Sequence, residues 1–104
     1  MTLNIFVKNY NFHDSKISNL YYNEKEKEFS FRLEASPYFD EQQKTIEIKF
    51  SKVRDVKCSK PLNKIDEYIL NIWKVKGQRN MIEIILDDDQ DTTIYVTATN
   101  VEIL

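Results

Sequence analysis

In Glu28-Phe29-Ser30-Phe31-Arg32-Leu33-Glu34-Ala35, apolar side chains fall at every second position, and in Thr45-Ile46-Glu47-Ile48-Lys49-Phe50-Ser51 the pattern returns. Successive side chains of a strand point to opposite faces, so a period of two marks a strand with one face in the core and the other in water. A helix would put half of these apolar groups into solvent. Composition agrees: there are 12 Ile, 6 Val, 6 Thr and 13 aromatic residues, and only two alanines, Ala35 and Ala98. β-branched and aromatic residues suit a pleated surface, while alanine is the best helix former.

The rest of the chain follows the same rhythm. Lys16 to Tyr22 predicts a strand, and the alternating charges of Asn23 to Glu28 a solvated turn leading into Phe29–Ala35. Ser36 to Lys44 reads as a loop, which places Arg32 and Glu47 on one solvent face if the flanking strands pair. Met81–Leu86 and Thr92–Ala98 form a further hairpin around Asp87–Asp91, and Asn100–Leu104 continues as a last strand after a bulge near Thr99. Leu3–Lys8 is expected to be an edge strand. Between Asn63 and Val75, Ile65, Tyr68, Ile69, Ile72 and Trp73 fall at helical spacing, yet the composition is that of a strand and the turn signal Lys76–Asn80 follows. A strand over Glu67–Val75 is preferred, with one short helix near 63–73 as the alternative. The expected fold is all-β: a single domain over 1–104, an antiparallel β-sandwich or open barrel of six to eight strands. Its core would be lined by Ile17, Phe29, Phe31, Leu33, Ile46, Ile48, Phe50, Ile82, Ile84, Leu86, Ile94 and Val96.

Scarcity excludes several chemistries. One glycine, Gly77, cannot supply a P-loop or a dinucleotide-binding loop. One cysteine, Cys58, and one histidine, His13, leave no Cys/His zinc site and no disulfide within the chain, and a lone thiol fits the cytoplasm. No run approaches the roughly 18 apolar residues of a membrane span, and the first residues have no signal-peptide pattern. The net charge of −2 hides an asymmetry. Lys44–Lys64 holds seven basic residues against two acidic, while Glu83 to the end holds six acidic and no basic.

Four features could carry function. His13-Asp14-Ser15 has the residue types of a catalytic triad, but triad members meet from separate parts of a chain, and adjacent side chains diverge. The expected role of His13 and Asp14 is to hydrogen-bond the backbone where the first strand begins; a small hydrolase using all three residues is the alternative. Asp87, Asp89 and Asp91 have the first spacings of a calcium loop, but Thr92 stands where its glycine belongs and Ala98 where its glutamate does. No metal and no cofactor are therefore expected. With Asp88 these residues form an acidic tip, expected to be a solvated hairpin turn or, as the alternative, a contact for a basic protein partner, whose neutralisation should leave stability equal or slightly raised. Tyr21, Tyr22, Phe29, Phe31, Tyr38 and Phe39 suit a single-strand nucleic-acid binder, a further alternative disfavoured by the acidic balance and by the core-facing register of Phe29 and Phe31. Cys58, beside Lys57 and Lys60, has no resolving partner.

Phe12-His13-Asp14-Ser15-Lys16-Ile17, followed by the polar-tipped hairpin to Phe29–Leu33, resembles the opening of small bacterial β-domains that begin hydrophobic-His-Asp-Ser/Ala. Some of these are immunity proteins of bacterial polymorphic toxin systems. The resemblance covers the first third of the chain. It implies a cytoplasmic, non-catalytic binding protein with a compact antiparallel β fold, and of its residues only His13 and Asp14 carry over. The expected function is protein binding, immunity-like or regulatory, without a membrane and with a homo-oligomer left open.

Overall fold

The computed structural model describes residues 1–104. In chain order the elements are helix α1 (Leu3–Asn9) and strands β1 (Lys16–Asn23), β2 (Glu28–Glu34), β3 (Thr45–Cys58), β4 (Glu67–Lys74), β5 (Met81–Leu86) and β6 (Thr93–Ile103), with one 3-10 turn at Leu62–Lys64 before β4. The strands close into an antiparallel barrel in the order β1-β2-β3-β6-β5-β4. The fold is all-β, as the alternation requires. Closure leaves no free sheet edge.

Registers follow the apolar pattern. Phe29 faces Phe50 across β2–β3, Phe31 faces Ile48, and Arg32 faces Glu47 on the outside, without an ion pair between them. Of the twelve expected core residues, eleven are buried. Ile46 is the exception; it is half-buried near the start of β3, packed against the core from its margin.

Closing six strands needs sharp coiling, and bulges supply it. β1 shifts register between Ser18 and Tyr21, β3 between Val53 and Asp55, and β4 between Ile69 and Asn71. The β4 bulge explains the ambiguous stretch. One extra residue sets the buried positions at Ile65, Ile69 and Ile72, a helical spacing produced by an irregular strand. Glu67–Lys74 is a strand, and the helical alternative shrinks to the 3-10 turn. The bulge expected near Thr99 lies across the ladder, on β3, and β6 runs unbroken from Thr93 to Ile103.

The expected edge strand Leu3–Lys8 is instead α1. Thr2 caps it, its hydroxyl accepting from Ile5 N at 3.2 Å. Leu3 and Phe6 are buried, with Val7 and Tyr10 partly buried beside them, a 3-4 spacing that suits a helix laid on an apolar surface. Phe6 is fully buried, with ring centroids 4.7 Å from Phe12 and 5.6 Å from Phe50. The N-terminal amino group donates to Asn100 and to the carbonyl of Val101, tying the helix to β6.

Candidate functional site

The His-Asp-Ser string sits where the barrel closes. Ser15 N donates to Phe12 O, making a tight turn, and Asp14 takes a φ of 63°, a left-handed conformation that aspartate tolerates better than most residues. Asp14 N then donates to Ile69 O at 2.9 Å, and Ile69 N to Ser15 O at 2.7 Å. These bonds extend the short β1–β4 ladder, in which Lys16 faces Tyr68 and Ile17 faces Glu67. The His13 imidazole adds a side-chain bond to the same strand, with Nδ1 2.9 Å from Leu70 O. Its other nitrogen, Nε2, lies 3.5 Å from Asp14 Oδ2. Ser15 is fully buried, and its Oγ accepts from Ser36 N at 2.9 Å, while Ser36 Oγ donates to His13 O at 2.7 Å. The hydroxyl therefore serves the β2–β3 loop, and the His13 ring and the Asp14 amide bond the backbone of β4. The three residues form a seam in which the His13 ring bonds the backbone, while of Asp14 only the main-chain amide does.

β4 presents an apolar outer face at this seam. Tyr68, Leu70 and Trp73 are exposed, and Tyr38 of the β2–β3 loop stands beside them, 62 % exposed. The Tyr38 ring lies 5.7 Å from the His13 ring and divides two hollows. One, about 750 Å³, is walled by Tyr38 and Tyr68 with Asp14, Lys16 and Glu34 around it. The other, about 480 Å³, lies between Tyr38, His13 and Trp73 over Phe12 and Ile72. Lys16 is bound to Asp66 at 3.2 Å and sits 6.0 Å over the Tyr68 ring; the hydrogen bond it donates to Asp66 raises its pKa.

The acidic tip reaches the same strand from its other side, where Asp87 N donates to Tyr68 O at 2.9 Å. Its four carboxylates are not equivalent. Asp87, Asp89 and Asp91 are exposed, whereas the Asp88 side chain is only 8 % exposed. Asp88 accepts from Thr92 Oγ1 at 2.5 Å, Thr92 N at 2.8 Å, Gln90 N at 3.2 Å and Lys60 Nζ at 3.1 Å. The Thr92 hydroxyl, then the Thr92 amide, hold its carboxyl well below the ordinary carboxylate range, against the opposing effect of burial. Asp88 is thus the staple of the β5–β6 turn. This corrects the expectation that neutralising all four aspartates leaves stability unharmed: a carboxylate with four donors cannot be removed without exposing their unmet hydrogen bonds. No group of three or more His, Cys, Asp or Glu side chains is placed to hold a metal ion.

Of the aromatics weighed for base stacking, Phe29 and Phe31 are buried and Tyr22 and Phe39 partly so, which leaves Tyr21 and Tyr38 well exposed. Cys58 is a half-buried free thiol. Sequence reasoning missed the β4 face because a regular strand puts Trp73 on the opposite side from Tyr68 and Leu70, and a helix puts Tyr68 and Trp73 on the apolar stripe. Tyr68 and Leu70 point out on either side of buried Ile69, and the bulge between Ile69 and Asn71 turns Trp73 to the same side. No helix is long and apolar enough to cross a membrane.

The fold belongs to the class of small closed antiparallel barrels. A solved structure similar to it is that of an uncharacterized protein from Neisseria gonorrhoeae, with a TM-score of 0.51 and 14 % identity over 88 % of this chain and 91 % of that one. No protein-family model and no curated protein matches the chain. The likeness establishes the fold alone.

Proposed function

We propose that the protein is a non-catalytic binding module that docks a basic protein partner on the outer face of β4, in an immunity-like or regulatory role. The observation that carries this reading is the exposed cluster Tyr38, Tyr68, Leu70 and Trp73, with acidic side chains at both margins. Aromatic residues dominate the energetics of protein interfaces, and a contiguous apolar patch ringed by polar groups marks such a surface. Asp14 and Glu34 border it on one side, and Asp87, Asp89 and Asp91 on the other. Of the nearby cations, Lys16 and Lys60 are paired with Asp66 and Asp88, and Lys74, which donates to the carbonyls of Gln78 and Arg79, stands alone against these five carboxylates. The uncompensated charge is therefore negative, which suits a basic partner and speeds its approach. The resemblance of the opening segment to immunity proteins points the same way.

The test is co-expression with the protein encoded by the adjacent gene. Trp73 is the sole tryptophan and is half-exposed, so its emission should shift to the blue as a complex forms. Tyr68→Ser with Trp73→Ser should weaken binding at least about a hundredfold, since each buried aromatic anchor contributes about 2 kcal/mol or more. Asp87→Asn with Asp89→Asn and Asp91→Asn should slow association at low salt and spare dissociation. A complex of undiminished strength with the double aromatic variant would place the contact elsewhere.

A further inference from the structure

A second surface, away from β4, has the opposite charge. Lys25 and Lys27 of the β1–β2 turn and Lys52 and Arg54 of the β3 bulge line one cleft of about 490 Å³, with Glu26 as its single acid. The fold forces these cations together. Val53 is fully buried and donates its amide to Lys27 O at 2.9 Å, which pins the turn to the bulge. Lys52 and Arg54, on either side of that anchor, are exposed into the cleft. Left to themselves, four such cations repel. Yet none of them takes part in any of the ion pairs of the molecule. Of the acids close by, Glu28 is held by Lys49 at 3.0 Å and Asp55 by Lys57 at 3.6 Å, which leaves Glu24 and Glu26 of the turn against four cations.

The backbone is also strained there. Lys27 and Lys52 have φ values of 56° and 52°. Asparagine or aspartate gains a local hydrogen bond in that conformation and glycine pays no steric penalty, but lysine has neither advantage. Two lysines held at left-handed positions, both lining one cleft of unpaired cations, are a costly arrangement for a bare surface. Strain of this kind collects at sites whose geometry is used.

We propose that this cleft is a phosphate-binding site, taking a ligand that carries several phosphate charges. Arg54 offers a planar fork suited to two phosphate oxygens, the lysines offer point charges, and Thr99 at the margin offers a neutral hydroxyl donor. No aromatic side chain lines the cleft, so nothing in it stacks a base. Recognition rests on the phosphate charge, and the site is independent of the β4 face.

The experiment titrates the full chain at low ionic strength with sodium tripolyphosphate, followed by calorimetry and amide chemical shifts. A single saturable site is expected, with shifts centred on Lys52, Val53, Arg54 and Thr99. Lys52→Gln with Arg54→Gln should weaken it at least about tenfold, the loss expected when charge-assisted hydrogen bonds are removed. Both residues are exposed, and an unchanged thermal melt verifies the fold of the variant. Lys44→Gln, exposed at the far end of the β2–β3 ladder from the cleft, should bind as the wild type does. ATP should bind no more tightly than tripolyphosphate, because no base is stacked. Tighter binding of a thymidine oligonucleotide through the same amides supports the site and assigns its phosphates to a nucleic-acid strand. Failure to saturate, an affinity unmoved by the double variant, or tighter binding of a polyglutamate peptide would overturn the proposal.

Discussion

Asp88 shows how one carboxylate can hold a turn that a row of aspartates would otherwise push open. Its neighbours Asp87, Asp89 and Asp91 contribute repulsion in solvent, while Asp88 collects donors from Thr92, Gln90 and Lys60. Asp88→Asn keeps the shape but loses the charge that strengthens those bonds, and should cost about 1–3 kcal/mol in urea denaturation at neutral pH. The pH dependence follows from the depressed pKa. A carboxyl whose folded pKa lies below its unfolded value of about 3.8 stabilises the fold fully above that pH, and the contribution is lost as pH falls through the folded value. The stability gap between wild type and Asp88→Asn should therefore narrow on acidification below the ordinary carboxylate range. A gap that stayed constant there would show that the charge of Asp88 is not what holds the turn.

Elements in this protein are decided by irregularities as much as by pattern. α1 exists because Thr2 caps it and because Leu3, Phe6 and Val7 share one face with a place to go, against Phe12 and Phe50. The propensity of Leu3–Lys8 is compatible with a strand, and burial chose the helix. Phe6→Ala should remove a fully buried ring from the aromatic cluster and cost about 3–5 kcal/mol, enough to unfold a marginal domain. A melting temperature unchanged in Phe6→Ala would mean that α1 does not seal the barrel. The bulges have the same authority over β4, where one extra residue sets Ile72 inward and Trp73 outward.

At the scale of the molecule the barrel is closed unevenly. β2–β3 pairs over seven residues and β3–β6 from Ile48 to Cys58, but β1–β4 pairs at two positions and borrows the rest from Asp14, Ser15 and His13. Local opening needs least free energy where few hydrogen bonds must break. Native-state hydrogen exchange should therefore find the amides of Asp14 and Ile69 exchanging through a smaller opening than those of Phe31 and Phe50. Equal protection across all four would argue for a single cooperative unit. Charge is also redistributed at this scale. Lys60 of the basic stretch reaches Asp88 of the acidic one, and Lys49 stands opposite Glu102. The sequence-level dipole is thus folded partly onto itself, and what remains is a local contrast between the acidic margins of β4 and the cleft at Lys25–Arg54.

Alternation at Glu28–Ala35, Thr45–Ser51, Met81–Leu86 and Thr92–Ala98 was enough to determine strands, their inward faces and nearly all of the expected core, because burial of every second side chain is a property of the chain itself. The backbone bond of His13 was legible for a local reason: adjacent His, Asp and Ser side chains diverge, so the ring meets a neighbouring strand rather than its sequence neighbours. Closure of the barrel, the helix at its end and the turn of Trp73 to the outer side of Tyr68 and Leu70 were decided only in three dimensions. Each depends on where a bulge falls or on what a distant segment covers, and neither leaves a period in the sequence. The convergence of Lys27 with Lys52 is of the same kind. It follows from one hydrogen bond, Val53 to Lys27, between residues that no local pattern connects.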